Sequence, residues 1–236
     1  MIQIVDETGS TNADLLARLG ASEHVAEGYW LVARRQTAGR GRQGRQWFDG
    51  AGNFMGSTVV RPSSGNPPPP SLALVTGLAV YETVLPYCPQ PTQLMLKWPN
   101  DLLLGGAKLA GILLEAAHGA VVIGIGVNLT ASPSLPDRAT TALAEVGMPP
   151  TLEEFAGQLS RAFAEELVRW RSHGLELLLR RWLAAAHPLG TPLLVRDTGG
   201  EPLAGEFAGL DSSGSLLLRT ADGKTLPVRA GDVTLD

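Results

Sequence analysis

Apolar and polar positions change period several times along the chain, and each change marks an element. Residues 2–5 are short and β-branched, which reads as a strand. Ser10, Thr11 and Asn12 offer an N-cap, with Leu15, Leu16 and Leu19 at helical spacing behind them and Gly20 as a stop. Residues 29–33 and 53–61 read as further strands. Ser71 is placed to cap a helix over 72–85, with Leu74, Leu78 and Leu85 near one face and Pro86, Pro89 and Pro91 closing it. Apolar runs at 94–97, 102–104, 109–116 and 120–129 are separated by Asn100-Asp101, Gly105-Gly106 and His118-Gly119, and the last two runs read as a hairpin. Helical patterns cover 152–171 and 175–185, and Pro188 ends them.

From residue 189 the texture changes. Short β-like segments alternate with Gly199-Gly200, Ser212-Ser213-Gly214 and Asp222-Gly223, a spacing that predicts a small β-barrel. The expected fold class is therefore α+β, with one domain over 1–186 and the barrel over 187–236. So short a module buries too little surface to be stable alone, and should pack on the first domain.

Composition narrows the function classes. The chain is 44% hydrophobic, yet no apolar run reaches the ~18 residues a membrane span needs. The first residues lack a basic segment followed by an apolar core, so no signal peptide is expected, and a soluble cytoplasmic protein is. A lone cysteine, Cys88, excludes a disulfide framework, and His24, His118, His173 and His187 lack metal-ligand spacing. A net charge of −4 argues against bulk attraction to nucleic acid, so any positive site must be local. The basic residues are three lysines and sixteen arginines. Codon usage in a G+C-rich genome accounts for that ratio. It does not account for Lys97 and Lys108 lying eleven residues apart.

Three segments carry candidate chemistry. Residues 36–46 hold three glycines and three arginines and no apolar residue beyond Ala38, so they form a loop. Gly39, Gly41 and Gly44 match a dinucleotide fingerprint in spacing, but no helix begins among them. The forked donors of Arg40, Arg42 and Arg45 suit a phosphate or carboxylate, and without one they should repel each other and leave the loop mobile. Residues 62–70, rich in Ser, Gly and Pro, read only as an exposed connection. In the second segment, Lys97 and Asn100 precede a predicted hairpin that returns Lys108 towards the same pocket, where two ammonium groups depress each other unless an anion lies between them. The turn signal Asn100-Asp101 needs no further role. In the third, glycines alternate through 121–129, allowing either close sheet packing or a flat ligand, and Asn128 needs a polar partner.

Taken in order, Gly9-Ser10-Thr11-Asn12, the 39–45 segment, 97–101 with 108–113, and 123–128 resemble the biotin–protein ligases over nearly the whole chain. The resemblance implies a mixed-sheet catalytic domain of the biotin/lipoate ligase type followed by an SH3-like barrel. With no helix-turn-helix ahead of the first strand, the sequence looks like the short form of these ligases. It implies biotin and ATP as substrates, with Mg2+ accompanying the ATP. The activity implied is synthesis of biotinyl-5′-AMP and transfer of biotin to a lysine of a biotin carboxyl carrier protein domain, as in acetyl-CoA carboxylase. No DNA or membrane partner is expected, and a homodimer is open.

Carried onto this sequence, the resemblance puts Ser10, Thr11, Asn12 and Gln36 at the polar end of biotin, and Gly39, Arg40, Gly41, Arg42, Lys108 and Gly111 along the rest of it. Arg42, Arg45, Trp47, Lys97, Asn100 and Asn128 would meet ATP or the adenylate, with Trp47 stacked on adenine. Lys108, Arg40 and Arg42 would be catalytic, and no metal ligand is assigned. The rival readings are a lipoate or octanoate ligase and, from another class, a nucleic-acid-binding module using the arginine loop.

Overall fold

The computed structural model describes residues 1–196 and 202–235. The chain begins with β1 (Ile2–Thr8), α1 (Thr11–Gly20), β2 (Trp30–Gln36) and β3 (Phe54–Val60). Then come α2 (Leu72–Val84), β4 (Leu94–Lys97), β5 (Asp101–Leu104), β6 (Ala107–Ala117), β7 (Ala120–Val127) and α3 (Leu152–Ala185). These seven strands form one sheet in the order β1-β2-β3-β7-β6-β5-β4. Only β1 and β2 pair in parallel, so the sheet is mixed.

The long apolar runs arise because the sheet is covered on both faces. Trp30, Val32, Ile123 and Ile125 belong to the larger core with α2 and α3, while Leu31, Val59 and Val122 pack with Leu15 and Leu19 of α1. Period-2 alternation thus separates two cores rather than core from solvent. The two expected helical stretches are one element, α3, interrupted at Gly174, whose φ of 67° and ψ of −155° no helix contains. His118 and Gly119, both with positive φ, make the expected tight turn between β6 and β7.

Two caps differ from expectation. Ser71 does not cap α2; its hydroxyl donates to the Pro68 carbonyl and accepts the Trp170 indole N–H, tying α2 to α3. Helix α1 runs through Gly20, and the left-handed residue that follows is Ser22.

The C-terminal strands β8 (Pro192–Arg196), β9 (Leu203–Leu210), β10 (Leu216–Arg219), β11 (Thr225–Val228) and β12 (Asp232–Leu235) form an antiparallel sheet in the order β11-β10-β9-β8-β12. The expected α+β class with a small terminal β module is what the chain builds. The expected turn at Gly199-Gly200 lies outside the described residues. The module does pack on the larger sheet: Phe207, Leu216, Leu218 and Val233 are buried in the same core as Leu96 and Trp98. Among the described residues, no helix is long and apolar enough to cross a membrane.

Candidate active site

A cavity of about 610 Å³ opens on the α1 side of the sheet, beyond the end of that helix. Register explains why it lies there. On β7, Ile123, Ile125 and Val127 face the larger core, so residues 122, 124 and 126 face the other way. Val122 packs with α1, whereas Gly124 and Gly126 line the cavity. Their partners across the ladder are Leu113 and Gly111 of β6, which also line it.

These glycines have a structural reason. A Cβ at Gly124 would lie 2.4 Å from Asn12 Oδ1, and one at Gly126 would lie 2.2 Å from the Trp47 indole. At Gly111 the indole would be 3.0 Å away. The glycine floor therefore seats an amide and an aromatic ring of the chain itself. Trp47 forms the wall over the floor, and its buried Nε1–H has no protein acceptor.

The inner end is a closed polar network. Gln36 Oε1 accepts the Thr11 backbone N–H at 2.7 Å and the Thr11 hydroxyl at 3.1 Å. Ser57 links the Thr11 hydroxyl and Asn12 Oδ1, at 2.6 Å to each. Asn12 donates its amide to Glu115 at 2.8 Å. Ser10 caps α1 through Ala13 N at 3.4 Å while lining the cavity, so capping and ligand contact are compatible. Every oxygen placed here is oriented by the fold before any ligand arrives.

The outer end is cationic. Arg40, Arg42, Arg45, Lys108 and Arg138 all line it. The 39–45 segment contains one short 3-10 turn, Arg42–Gly44, and is laced by Trp47 N–H to Gly39 O at 2.9 Å and Gly41 N–H to Arg45 O at 2.7 Å. The expected mutual repulsion of its arginines is relieved within the protein. Arg40 lies 3.6 Å from Glu115, Arg42 donates to Asn100 Oδ1 and Gly231 O at 3.0 Å each, and Arg45 pairs with Asp232 at 2.9 Å. Burial lowers the Arg42 pKa, with Asp232 and Asp101 opposing that shift.

Both lysines meet a carboxylate that served only as a turn signal in the sequence. Asp101 lies 2.6 Å from Lys108 Nζ and 3.0 Å from Lys97 Nζ, with its side chain only 8% exposed. Burial alone would raise its pKa, but the two ammonium groups outweigh that and hold it at about 2. Burial pulls the Lys108 pKa down, and Asp101 limits the shift. Lys97 differs from expectation: it stands behind Asp101, outside the cavity lining, and donates to the Val233 carbonyl at 2.7 Å. Asn100 lines the cavity and donates to Ile112 O at 2.7 Å. Asn128 also lines it and finds its partner in the Thr141 carbonyl at 3.1 Å.

Of the residues the resemblance assigned to biotin, ATP or catalysis, all but Lys97 line this one cavity. Asp101, Glu115, Ser57, Arg138 and Asp232 take part in its wall or its network without having been singled out. A carboxylate between two lysines of an apolar hairpin was the signal for Asp101; the others are joined only by tertiary structure. Among the described residues no three His, Cys, Asp or Glu side chains are grouped to hold a metal. The donor set does not fit a metal resident in the protein, and a magnesium ion would enter on its nucleotide.

Cys88 takes no part. It is buried outside this lining, bonded to the Val84 carbonyl, and burial pushes its thiol pKa up.

Residues 7–130 match the biotin/lipoate A/B protein ligase family, and residues 189–236 match the biotin protein ligase C-terminal domain. The chain is 40% identical over 228 residues to a biotin–[acetyl-CoA-carboxylase] ligase of Paracoccus denitrificans, covering 92% of this chain and 93% of that one. It is 38% identical over 238 residues to the enzyme of that name from Mycobacterium tuberculosis, covering 98% and 88%. Among solved structures, the biotin protein ligase of Aquifex aeolicus in complex with biotin and ATP superposes with a TM-score of 0.85 at 26% identity, over 100% of this chain and 99% of that one. With more than half its length matched and the β module matched besides, this chain belongs to the biotin/lipoate A/B protein ligase family.

Proposed function

We propose that this protein is a biotin–protein ligase that activates biotin with ATP and delivers it to a carrier lysine. The observation that carries the reading is the two-ended cavity: an oriented, neutral hydrogen-bonding end joined by an apolar floor to a cationic rim. Biotin has the matching polarity, with a ureido group at one end, a bicyclic ring and alkyl chain between, and a carboxylate at the other. Thr11, Asn12, Gln36 and Ser10 take the ureido end. Trp47, Leu113 and the glycine floor enclose the ring and chain. The unpartnered Trp47 N–H suits an acceptor on the ligand.

In the first step a carboxylate oxygen of biotin attacks the α-phosphorus of ATP. A carbon–oxygen–phosphorus anhydride forms, the bond to the β-phosphate oxygen breaks, and pyrophosphate leaves. Lys108 offsets the repulsion between these two anions, and Asp101 keeps its ammonium aimed while Lys97 balances the charge behind. Arg40 and Arg42 hold the carboxylate and α-phosphate, Arg45 assists at the rim, and Asn100 positions Arg42. Asn128 lies where the nucleotide would reach the end of β7. In the second step a carrier lysine amine attacks the anhydride carbonyl, an amide forms, and AMP leaves. The loop keeps water from the anhydride meanwhile. No protein nucleophile is needed.

Residues 1–186 carry the chemistry in this reading, and 187–236 support it. The acceptor is the carrier domain of an acetyl-CoA carboxylase, by analogy with the relatives' names. Pyrophosphate–ATP exchange with biotin and with lipoate, run side by side, tests the substrate. Exchange with biotin supports the reading, and exchange with lipoate but not biotin overturns it.

A further inference from the structure

Residues 39–46 contain no large apolar side chain, so burial does not hold this loop over the cavity. Its long-range anchors are polar, and two of them come from the far end of the chain. Gly231 and the first two residues of β12 grip three cations of the first domain, two on the loop and one at the end of β4. The Gly231 carbonyl accepts from Arg42 at 3.0 Å, the Asp232 carboxylate pairs with Arg45 at 2.9 Å, and the Val233 carbonyl accepts from Lys97 at 2.7 Å. Two of these are backbone acceptors that no substitution of their own side chain removes. Asp232 is the one side chain among the three, and it lines the cavity rim.

The backbone is shaped for this approach. Gly231 has φ of +142°, and a Cβ there would lie 3.0 Å from the Arg196 carbonyl, so the strand enters through a conformation other residues resist. Asp232 pairs through its backbone with Arg196 of β8, which leaves its carboxylate free to point across the domain junction at Arg45. Burial works against its ionisation, but Arg45, with Arg138 and Lys97 beyond, holds its pKa below the usual carboxylate value. Arg45 and Asp232 are about one-third exposed, at 35% and 34%. A pair that wet is weak enough to open for substrate and product, yet it biases the loop towards the closed position.

We propose that Asp232 is a positioning residue for the arginine loop: through Arg45 it makes the C-terminal β module the latch that retains the acyl-adenylate until a carrier arrives. The inference rests on the proposed ligase function, and it places a role in catalysis on a residue that touches no reacting atom. The module then has a task beyond packing: its third anchor, Val233 to Lys97, fixes the charge behind Asp101 from the same strand.

Two measurements test it, and the first needs no substrate. Trypsin cleavage after Arg40, Arg42 and Arg45 is followed in the folded, ligand-free chain. Asp232→Asn should be cut about fivefold faster than wild type, and Asp232→Glu should restore protection. The second is escape of biotinyl-AMP from enzyme freed of excess substrate. Asp232→Asn should release it about fivefold faster with the KM for biotin unchanged, and Arg45→Gln with Asp232→Asn should leak no faster than Arg45→Gln alone. Unchanged cleavage in Asp232→Asn overturns the latch, as do additive effects in the double variant. If Asp232→Asn lowers the melting temperature sharply, Arg45→Gln tests the same contact from the other side by cleavage after Arg40 and Arg42 alone, and wild-type protection at those two sites overturns it equally. Wild-type enzyme that makes no biotinyl-AMP would sink the ligase reading instead, and the trypsin comparison would still decide the latch.

Discussion

The floor and the lid of the cavity are built by different physics. The floor is two adjacent strands whose register was set by burial: residues facing the core are apolar, and those facing the cavity are Gly111, Leu113, Gly124 and Gly126. The polar groups at its inner end, Thr11, Asn12, Gln36 and Ser57, are buried and mutually bonded, and opening them would leave unpaired donors in a low dielectric. The lid has neither property. It buries little, and its arginines pair with Glu115, Asn100, Gly231 and Asp232, partners 58 to 189 residues away along the chain. A floor of this kind fixes what binds; a lid of this kind sets how long it stays.

Substitutions can break that division. The largest effect belongs to Lys108→Ala, which should lower biotin-dependent exchange about a thousandfold in a chain that still folds, with a lower melting temperature because Asp101 keeps only Lys97. Exchange close to wild type would move the charge-offsetting role elsewhere. Next is Gly126→Val, which drives a side chain into the Trp47 indole. It should raise the KM for biotin roughly 10- to 100-fold and spare the stability of the adenylate once formed. An unchanged KM would mean that the indole wall does not bound the biotin site.

Arg42→Gly reverses the pattern. It removes the contacts to Asn100 and Gly231, so adenylate should escape about tenfold faster and label nearby lysines indiscriminately, while exchange persists. Escape at the wild-type rate would show that the loop is no lid. The smallest effect on catalysis is expected from His187→Phe, outside both regions. His187 is 3% exposed, lies against Phe207, and burial depresses its pKa from 6.5 to about 4. The folded state therefore binds this proton less readily than the unfolded chain. Stability should be full above pH 6.5 and fall as the pH drops towards 4, and the variant should flatten that part of the profile. A wild-type stability profile already flat over that interval would contradict the burial argument.

The same division governs what the sequence discloses. Strand periods, the His118-Gly119 turn and the clustered apolar runs are local, so the strands and helices could be read from them, whereas the mixed sheet was implied only by the family resemblance. The floor glycines were visible as a pattern, but not their cause, because Asn12 and Trp47 reach them from distant parts of the chain. The arginine loop was legible as a site for an anion. Its anchors were not, since Arg42 and Gly231 are brought together only by the packing of the β module. Asp101 was passed over because an Asn-Asp pair is a sufficient turn signal; what sets it apart is burial between Lys97 and Lys108. Lys97 erred the other way, since a lysine near a pocket in sequence need not face into it.

The most direct test of the account is to mix the protein with biotin and MgATP without carrier, pass it through a desalting column, and identify what elutes with it. The account predicts close to one equivalent of biotinyl-5′-AMP per chain. Elution without an adenylate, or with lipoyl-AMP when both acids are supplied, would contradict it.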